Sequence, residues 1–233
     1  MGKKTNKAKV LTVSSISTHR HLEEYGDSTS DVNLIFKHPD EINLVVYPGG
    51  SDIHPSLYKH EKHNLTFCNL QRDKRDVSVF KQALKHNIPI IGICRGAQFL
   101  TAMAGGYLYQ DTSGHNMNHT IETDDGRTFM VTSSHHQMFG MPLVPGAKLL
   151  SWSKERKSAY YDTDMFNVEP PEVEPESVFY PSIGSLAVQW HPEWMDEEAD
   201  GVAYYKELVQ TYVDPLISKR HNEIIAQGHY IEV

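Results

Sequence analysis

Cys94 lies between two glycines in the stretch IIGICRGAQFL, residues 90–100, where an apolar run stops and a helical pattern begins. In the pattern Gly92-x-Cys94-x-Gly96, the small flanking residues let the chain turn sharply from a strand into a helix. Such a turn holds the thiol against the first amides of the helix, which favour a thiolate and a developing oxyanion. The pattern is short, so a nucleophilic cysteine and a small buried one remain equally open at this point.

A nucleophilic thiol requires a base, and the run LAVQWHPEW, residues 186–194, offers one. A strand-like segment ends at His191, and Pro192 stiffens the turn that places Glu193 two residues further on. A carboxylate so placed can orient the imidazole while the other ring nitrogen faces the sulfur. Cys94, His191 and Glu193 would then form a triad, although a histidine after a strand is by itself more often a packing residue.

A glycine pair supplies the third element, in VVYPGGSDIHPSLY, residues 45–58. Glycines at the end of a buried strand let backbone amides approach a ligand closely. The amide of Gly50 could therefore share an oxyanion with the amide of Arg95. An ordinary turn at the end of a strand is the alternative.

Taken together, GICRGAQ, PGG and QWHPE resemble the three hallmark motifs of the class I glutamine amidotransferase superfamily, in the correct order. Within it, the γ-glutamyl hydrolase branch (peptidase C26, which includes γ-glutamyl-γ-aminobutyrate hydrolase) is the most similar. The resemblance covers roughly residues 40 to 195. The segments that carry it are PGGSDIHPSLY, RDKRD (72–76), GICRGAQFL, GGYLYQD (105–111), SSHHQ (133–137) and QWHPEW.

The resemblance implies a fold and a reaction. The fold is an α/β, flavodoxin-like three-layer α/β/α sandwich with a mostly parallel central sheet. The reaction is cleavage of a γ-glutamyl amide through a thioester, with Cys94 as nucleophile, His191 as base and Glu193 as its orienting group. Gly50 and Arg95 would form the oxyanion hole. The substrate-binding residues implied are Gly49, Gln98, Ser133, Ser134 and His135, with His136 as an alternative to His135.

The sequence departs from the family pattern at several places. The first helix is hard to place, Asp76 stands where a glutamate is more usual, and the loop 153–177 matches no family element. Arg72 and Asp73 are either a solvated pair or part of the pocket rim. Three functions stay open: a free-standing hydrolase, a glutaminase subunit that passes ammonia to a separate synthase, and a non-enzymatic binding protein.

Apolar β-branched runs alternate with helical patterns along the chain, which predicts parallel strands joined by crossover helices. An exposed loop is predicted for VEPPEVEPE, residues 168–176, because it is rich in proline and acid. The predicted strands are 10–16, 32–36 (weaker), 42–48, 88–93, 106–109, 128–133, 147–152, 178–180 and 185–190, and the predicted helices are 75–87, 95–106, 197–211 and 213–226.

Composition restricts the partners. The 233 residues are 39% hydrophobic, which suits one domain over residues 10–233, preceded by a disordered basic arm over residues 1–9. A formal net charge of −8 argues against a nucleic-acid or membrane surface and favours small-molecule or protein partners. The family resemblance implies that these are a small-molecule γ-glutamyl substrate or glutamine and, as an option, a separate synthase subunit. Two cysteines and no signal peptide indicate the cytoplasm.

No cofactor and no metal are predicted from the sequence. His115 and His119 are four residues apart, a spacing that could hold a metal ion on a helix. The surrounding glycine and asparagines favour a loop, however, and no cysteine or carboxylate cluster stands beside them in the sequence.

Overall fold

The computed structural model describes residues 8–13, 20–141 and 143–226. This part of the chain contains thirteen strands and five α-helices. The strands are β1 (Lys9–Thr12), β2 (Asp27–Thr29), β3 (Ile42–Tyr47), β4 (Ile90–Ile93), β5 (Leu108–Tyr109), β6 (Asp111–Thr112), β7 (His119–Thr123), β8 (Thr128–Val131), β9 (Met138–Phe139), β10 (Lys148–Ser153), β11 (Tyr161–Asp162), β12 (Pro175–Tyr180) and β13 (Ser185–Val188). The helices are α1 (Leu34–Lys37), α2 (Leu70–Lys85), α3 (Arg95–Met103), α4 (Asp200–Tyr212) and α5 (Asp214–Ala226).

Nine strands form one mixed sheet in the order β2-β1-β3-β4-β13-β12-β10-β7-β8. The first five are parallel to one another, and the last four continue the sheet in antiparallel pairs. The short strands β5 and β9 pair separately, as do β6 and β11. The parallel half thus contains the end of β4, where Cys94 follows, and the end of β13, which leads to His191.

Two hydrophobic clusters cover the two faces of this sheet, because successive side chains of a strand point to opposite sides. Val46 and Ile91 pack with residues of α4 and α5, whereas Val45 and Ile90 pack with residues of α2 and α3. All four side chains are fully buried. The result is the three-layer α/β/α arrangement with a mostly parallel core that the sequence predicted.

The local sequence explains where two helices next to the parallel strands begin or end. Asn69 precedes α2, and its side-chain oxygen accepts hydrogen bonds from the amides of Gln71 and Arg72, both at 3.1 Å. Such a cap satisfies amides that have no partner within the helix. Helix α3 starts directly after Cys94 and stops just before Gly105, whose φ of +94° suits a glycine.

Some sequence-based boundaries are wrong. The predicted strand 32–36 is the short helix α1, because Asp31 accepts a hydrogen bond from the amide of Asn33 at 3.0 Å and turns the chain. The predicted loop 168–176 is exposed only in part, since Glu174, Pro175 and Glu176 are buried. The other predicted helices and strands are present with shifted ends, and helix α2 begins five residues earlier than predicted.

The beginning of the domain also differs from the expectation. Ala8 is buried and Lys9 already belongs to β1, so the ordered chain starts before residue 10. Residues 1–7 of the predicted arm and residues 14–16 of the first predicted strand lie outside the described residues. Among the described helices, none combines the length and the apolar character needed to cross a membrane.

Candidate active site

Cys94 occupies a turn that only its neighbouring glycines permit. Its backbone has φ of 52° and ψ of −109°, in a region that L-residues other than glycine rarely adopt. A Cβ at Gly92 would overlap the backbone of Gly96, and a Cβ at Gly96 would overlap the backbone of Tyr47. The predicted sharp turn from strand to helix is therefore present, and both glycines are sterically required.

The thiol of Cys94 is buried near the carbonyl oxygen of Ser134, which lies 3.9 Å from Sγ. Burial raises the pKa of Cys94 to about 12, and the negative charge of Glu193 adds to the rise. A hydrogen bond from the Arg95 amide lowers this pKa, but by less. The expected help from the helix N-terminus is present, yet it is outweighed by desolvation, so the resting thiol is protonated.

His191 is held in one orientation by contacts on several sides. Its Nδ1 lies 2.8 Å from Oε1 of Glu193, and its backbone amide donates to the carbonyl of Thr132 at 2.9 Å. The indole of Trp194 stacks on the imidazole with ring centroids 3.6 Å apart. Because the carboxylate occupies Nδ1, the other ring nitrogen remains for a reacting group.

Gly49 lies next to both the imidazole of His191 and the side chain of Cys94. A Cβ at Gly49 would lie 2.9 Å from Cε1 of His191 and 3.6 Å from Cβ of Cys94. Both side chains therefore flank the same short stretch of backbone, which must be glycine for them to approach it. The next residue, Gly50, has φ of +138°, and Arg72 covers the turn by donating to the carbonyl of Gly49 at 3.0 Å.

The RDKRD segment supports the same turn from helix α2. The guanidinium of Arg95 is 1% exposed and donates to Asp73 and to Asp76, each at 2.5 Å. Its Nε also donates to the carbonyl of Ser51 at 3.0 Å. Asp73 is thus not part of a solvated pair with Arg72, because Asp73 and Asp76 are buried and neutralise Arg95, the buried residue that follows Cys94.

The predicted substrate-binding side chains separate into buried and open ones. Gln98 donates through Nε2 to the carbonyl of Gln137 at 3.0 Å, and Ser133 donates to the carbonyl of His115 at 2.8 Å. His135 is also buried, with Nδ1 at 2.8 Å from the carbonyl of Gln137. Ser134 is exposed, so it is the member of this set that a ligand can reach without rearrangement.

Comparison with known proteins identifies the family of this chain. The family model of peptidase C26 matches residues 27–159, more than half of the chain. The glutamine amidotransferase-like protein YvdE of Lactococcus lactis is 31% identical over 183 residues, which cover 68% of this chain and 70% of YvdE. The chain belongs to the peptidase C26 family. It is accordingly a member of the class I glutamine amidotransferase superfamily and an enzyme of the hydrolase or amidotransferase type.

Two more distant similarities accompany this assignment. A glutamine amidotransferase of known structure from Thermotoga maritima has the same fold, with a TM-score of 0.54 at 18% identity, over 93% of this chain and 91% of that one. The carbamoyl phosphate synthase small chain of Pyrococcus furiosus is 24% identical over 177 residues, which cover 72% of this chain and 43% of that protein.

One group of side chains beside the cysteine turn of this peptidase C26 member was not predicted. His136 lies between Asp52 and Asp111, with its ring nitrogens 3.2 Å and 3.0 Å from their carboxylate oxygens. The hydrogen bond to Asp52 raises the pKa of His136 to about 9, and Asp111 contributes in the same direction. Tyr160 donates to Asp111 at 2.9 Å. The partners are far apart in sequence, so only the alternative assignment of His136 pointed to this group.

The structure also overturns a premise about His115 and His119. The sequence offered no carboxylate beside them, but Glu174 and Glu176 reach them from the segment that was predicted to be exposed. All four residues are buried, and His135 stacks on His115 with ring centroids 4.6 Å apart.

Proposed function

We propose that this protein hydrolyses a γ-glutamyl amide through a thioester on Cys94. The observation that carries the proposal is that Cys94 and His191 both lie next to Gly49, with Glu193 hydrogen-bonded to the imidazole. A thiol, an imidazole and an orienting carboxylate in this order are the requirements of nucleophilic acyl transfer.

In the proposed first step, His191 accepts the proton of the Cys94 thiol as the sulfur attacks the γ-carbonyl carbon. The high pKa of Cys94 means that the thiolate forms only as substrate is engaged, not in the resting enzyme. The C–N bond then breaks, and His191 returns the proton to the departing amine or ammonia. Water, deprotonated by His191, attacks the thioester, so glutamate is released and the thiol is restored.

The tetrahedral intermediate needs donors for its oxyanion. The amide of Arg95 already reaches the sulfur, and the adjacent turn at Gly50 would bring the second amide. For the polar groups of the glutamyl part, exposed Ser134 and the cationic His136 are the candidates that the geometry favours over buried Ser133 and His135. Gly49 and Gln98 would act by shaping the pocket.

The test is glutamate release from glutamine and from a panel of γ-glutamyl amines. We expect wild type and Cys68→Ala, which removes the other cysteine, to release glutamate, and Cys94→Ala to release none above background. A thioester predicts in addition that wild type is acylated at Cys94 by a γ-glutamyl electrophile, as seen by mass spectrometry. Turnover by Cys94→Ala at the wild-type rate would remove the thiol from the mechanism.

A second candidate is a glutaminase subunit that delivers ammonia to a separate synthase. It is supported by the similarity to a protein named as the small chain of carbamoyl phosphate synthase. Such a subunit would be nearly silent alone and would release glutamate from glutamine when its partner is added. Strong hydrolysis of γ-glutamyl amines by the isolated chain would favour the free-standing hydrolase instead.

A further inference from the structure

A second cluster of titratable side chains lies beneath the segment that carries Ser134. It consists of His115, His119, His135, Glu174 and Glu176, and we refer to it as the histidine cluster. None of the five is more than 5% exposed. The proposed hydrolysis uses none of them as a reacting group, so their burial needs another explanation, because burying ionisable groups is costly unless they are paired or bind a metal.

The histidine cluster converges on one oxygen atom. Oε1 of Glu176 lies 2.8 Å from Nε2 of His119, 3.4 Å from Nδ1 of His115 and 3.9 Å from Nε2 of His135. The ligand atoms of His115, His119 and Glu176 all lie within 4.8 Å of one another. Three imidazoles and a carboxylate around one small volume are the donor set of a zinc-type site.

The hydrogen bonds around the histidine cluster leave polar atoms without a partner. Nδ1 of His135 lies 2.8 Å from the carbonyl of Gln137, and because a carbonyl only accepts, this Nδ1 holds hydrogen and the neutral ring has its lone pair on Nε2. Nε2 of His119 forms a hydrogen bond with Oε1 of Glu176 at 2.8 Å. Nε2 of His135 and Oε2 of Glu176 are buried and have no hydrogen-bond partner among the described residues. Buried polar atoms of this kind would be satisfied by an ion bound between them.

Glu174 faces the ring nitrogen of His115 that is not directed towards Glu176. Its Oε2 lies 3.4 Å from Nε2 of His115, and the carboxylate is fixed by the amides of Lys157 and Ser158, both at 2.8 Å. A carboxylate that orients one nitrogen of a histidine whose other nitrogen binds the ion is the usual support of a metal ligand. Nδ1 of His115 is thereby turned towards Glu176.

We propose that His115, His119 and Glu176 bind a divalent transition-metal ion of the zinc class, with His135 or a water molecule as fourth ligand. In a tetrahedral zinc site, neighbouring ligand atoms are about 3.3 Å apart. The separations of 2.8 Å and 3.4 Å from Oε1 of Glu176 to His119 and His115 lie on either side of that value. The ligand atoms of His115 and His119 are no more than 4.8 Å apart.

The proposed ion is structural. It would join three segments that are distant in sequence, namely 115–119, 133–135 and the start of β12. The carbonyl of His115 already accepts hydrogen bonds from the Ser133 hydroxyl at 2.8 Å and from the His135 amide at 3.2 Å. The ion would therefore stabilise the segment whose Ser134 carbonyl lies beside the Cys94 thiol.

The test begins with wild-type protein that has been stripped with a chelator and dialysed against metal-free buffer. Titration with Zn²⁺ should load about one ion per chain and raise the melting temperature, because a ligand that binds only the folded state stabilises it. Titration with Co²⁺ should give the visible absorption of a tetrahedral nitrogen and oxygen site. His119→Asn and Glu176→Gln should each lose the tight ion, whereas His38→Asn, which removes an exposed histidine, should keep it.

Two outcomes would overturn the proposal. Stripped wild type that binds less than about one tenth of an equivalent, with an unchanged melting temperature, would mean that protons rather than a metal neutralise the histidine cluster. Equal loading of wild type and both cluster variants would place the ion elsewhere on the chain. If the variants fail to fold, the wild-type titration and its cobalt spectrum still decide the question.

Discussion

Cys94 differs from an ordinary reactive cysteine in its backbone conformation and in the pKa of its thiol. The left-handed backbone is a conformation that costs a non-glycine residue of the order of 1–3 kcal/mol. The thiol is buried, and its pKa is raised to about 12. Both features are expected if Cys94 is positioned to react with a bound acyl group and is protected from reagents in solution.

The raised pKa predicts slow alkylation of Cys94 in the resting protein. A thiol with a pKa near 12 is about one part in ten thousand thiolate at pH 8, and the thiolate is the reactive form. The rate of carbamidomethylation by iodoacetamide should therefore keep rising tenfold per pH unit beyond pH 9, where an ordinary cysteine levels off. Peptide mass spectrometry separates Cys94 from Cys68, and a plateau below pH 8 at Cys94 would contradict the assigned burial.

Glu193 and His191 should differ in their effect on turnover. Glu193→Gln keeps the imidazole and replaces a carboxylate that lies 2.8 Å from Nδ1, so orientation and charge are lost but the base remains. We expect a decrease in kcat/KM of about 10² to 10⁴, against a larger loss for His191→Ala. Steady-state glutamate release measures both. Equal and complete loss would show that the carboxylate does more than orient the ring.

At this scale the motifs indicated correctly that Cys94 directly follows the buried strand β4 and that His191 lies just beyond the buried strand β13, whereas the catalytic roles of these residues and of Glu193 stay predictions. The partners of polar side chains could not be predicted in the same way. Ser133 and His135 alternate with Ser134 and His136 along one extended segment, so a single residue decides which pair faces the cleft. That choice depends on His115 and Asp52, which are distant in the sequence.

The elements α2 and α3 are connected by the ion pairs of Arg95. One helix supplies Asp73 and Asp76, and the other begins with Arg95, directly after Cys94. Because all three side chains are buried, these ion pairs fix the position of the turn at Cys94 relative to α2. The side chain of Asp76 is long enough to reach the guanidinium of Arg95.

Asp76→Ala should therefore destabilise the fold and impair the site. Removing one partner of a buried pair leaves an uncompensated charge, which costs about 3–5 kcal/mol. We expect a decrease of that order in the free energy of unfolding, measured by urea denaturation, and a lower kcat. Lys81→Ala, an exposed change on the same helix, is the control and should change neither quantity. A loss below about 1 kcal/mol would mean that Asp73 alone neutralises Arg95.

Four strands of the parallel half, β1, β3, β4 and β13, were predictable from the sequence because they are apolar runs buried on both faces, whereas the polar edge strand β2 was not predicted. Short or polar elements were not. Strand β7 alternates buried and half-buried residues in HTIET, a pattern too short and too polar to stand out. Glu174 and Glu176 read as solvated acids, and their burial follows only from contacts with histidines and backbone amides that are remote in the chain.

Across the whole molecule, the two halves of the sheet contribute differently to the site. The parallel half supplies Cys94 and His191, whereas the segment 132–137, which follows the antiparallel edge strand β8, reaches back to both. These contacts join residues separated by dozens of positions. The contacts of segment 132–137 with Cys94 and His191 therefore depend on the assembled sheet, and no single sequence motif predicts them.

The C-terminal helix is attached to the rest of the molecule by Arg220, which is 3% exposed. Its guanidinium donates to the carbonyl of His86 at 3.0 Å and to that of Pro39 at 2.7 Å, and thus ties α5 to the end of α2 and to the turn before β3. Arg220→Met keeps much of the side-chain volume but leaves both carbonyls without this donor. Such losses cost about 1–3 kcal/mol for each buried group.

We expect Arg220→Met to lower the free energy of unfolding by about 2–3 kcal/mol while kcat/KM stays at the wild-type value, because Arg220 contacts none of the residues around Cys94. Chemical denaturation and glutamate release from the same preparations measure the two quantities. Lys219→Met, an exposed change one residue earlier on α5, should leave both unchanged. A fall in kcat/KM with no loss of stability would contradict this expectation. It would mean that the contacts of Arg220 with His86 and Pro39 affect turnover at the active site more than they affect folding.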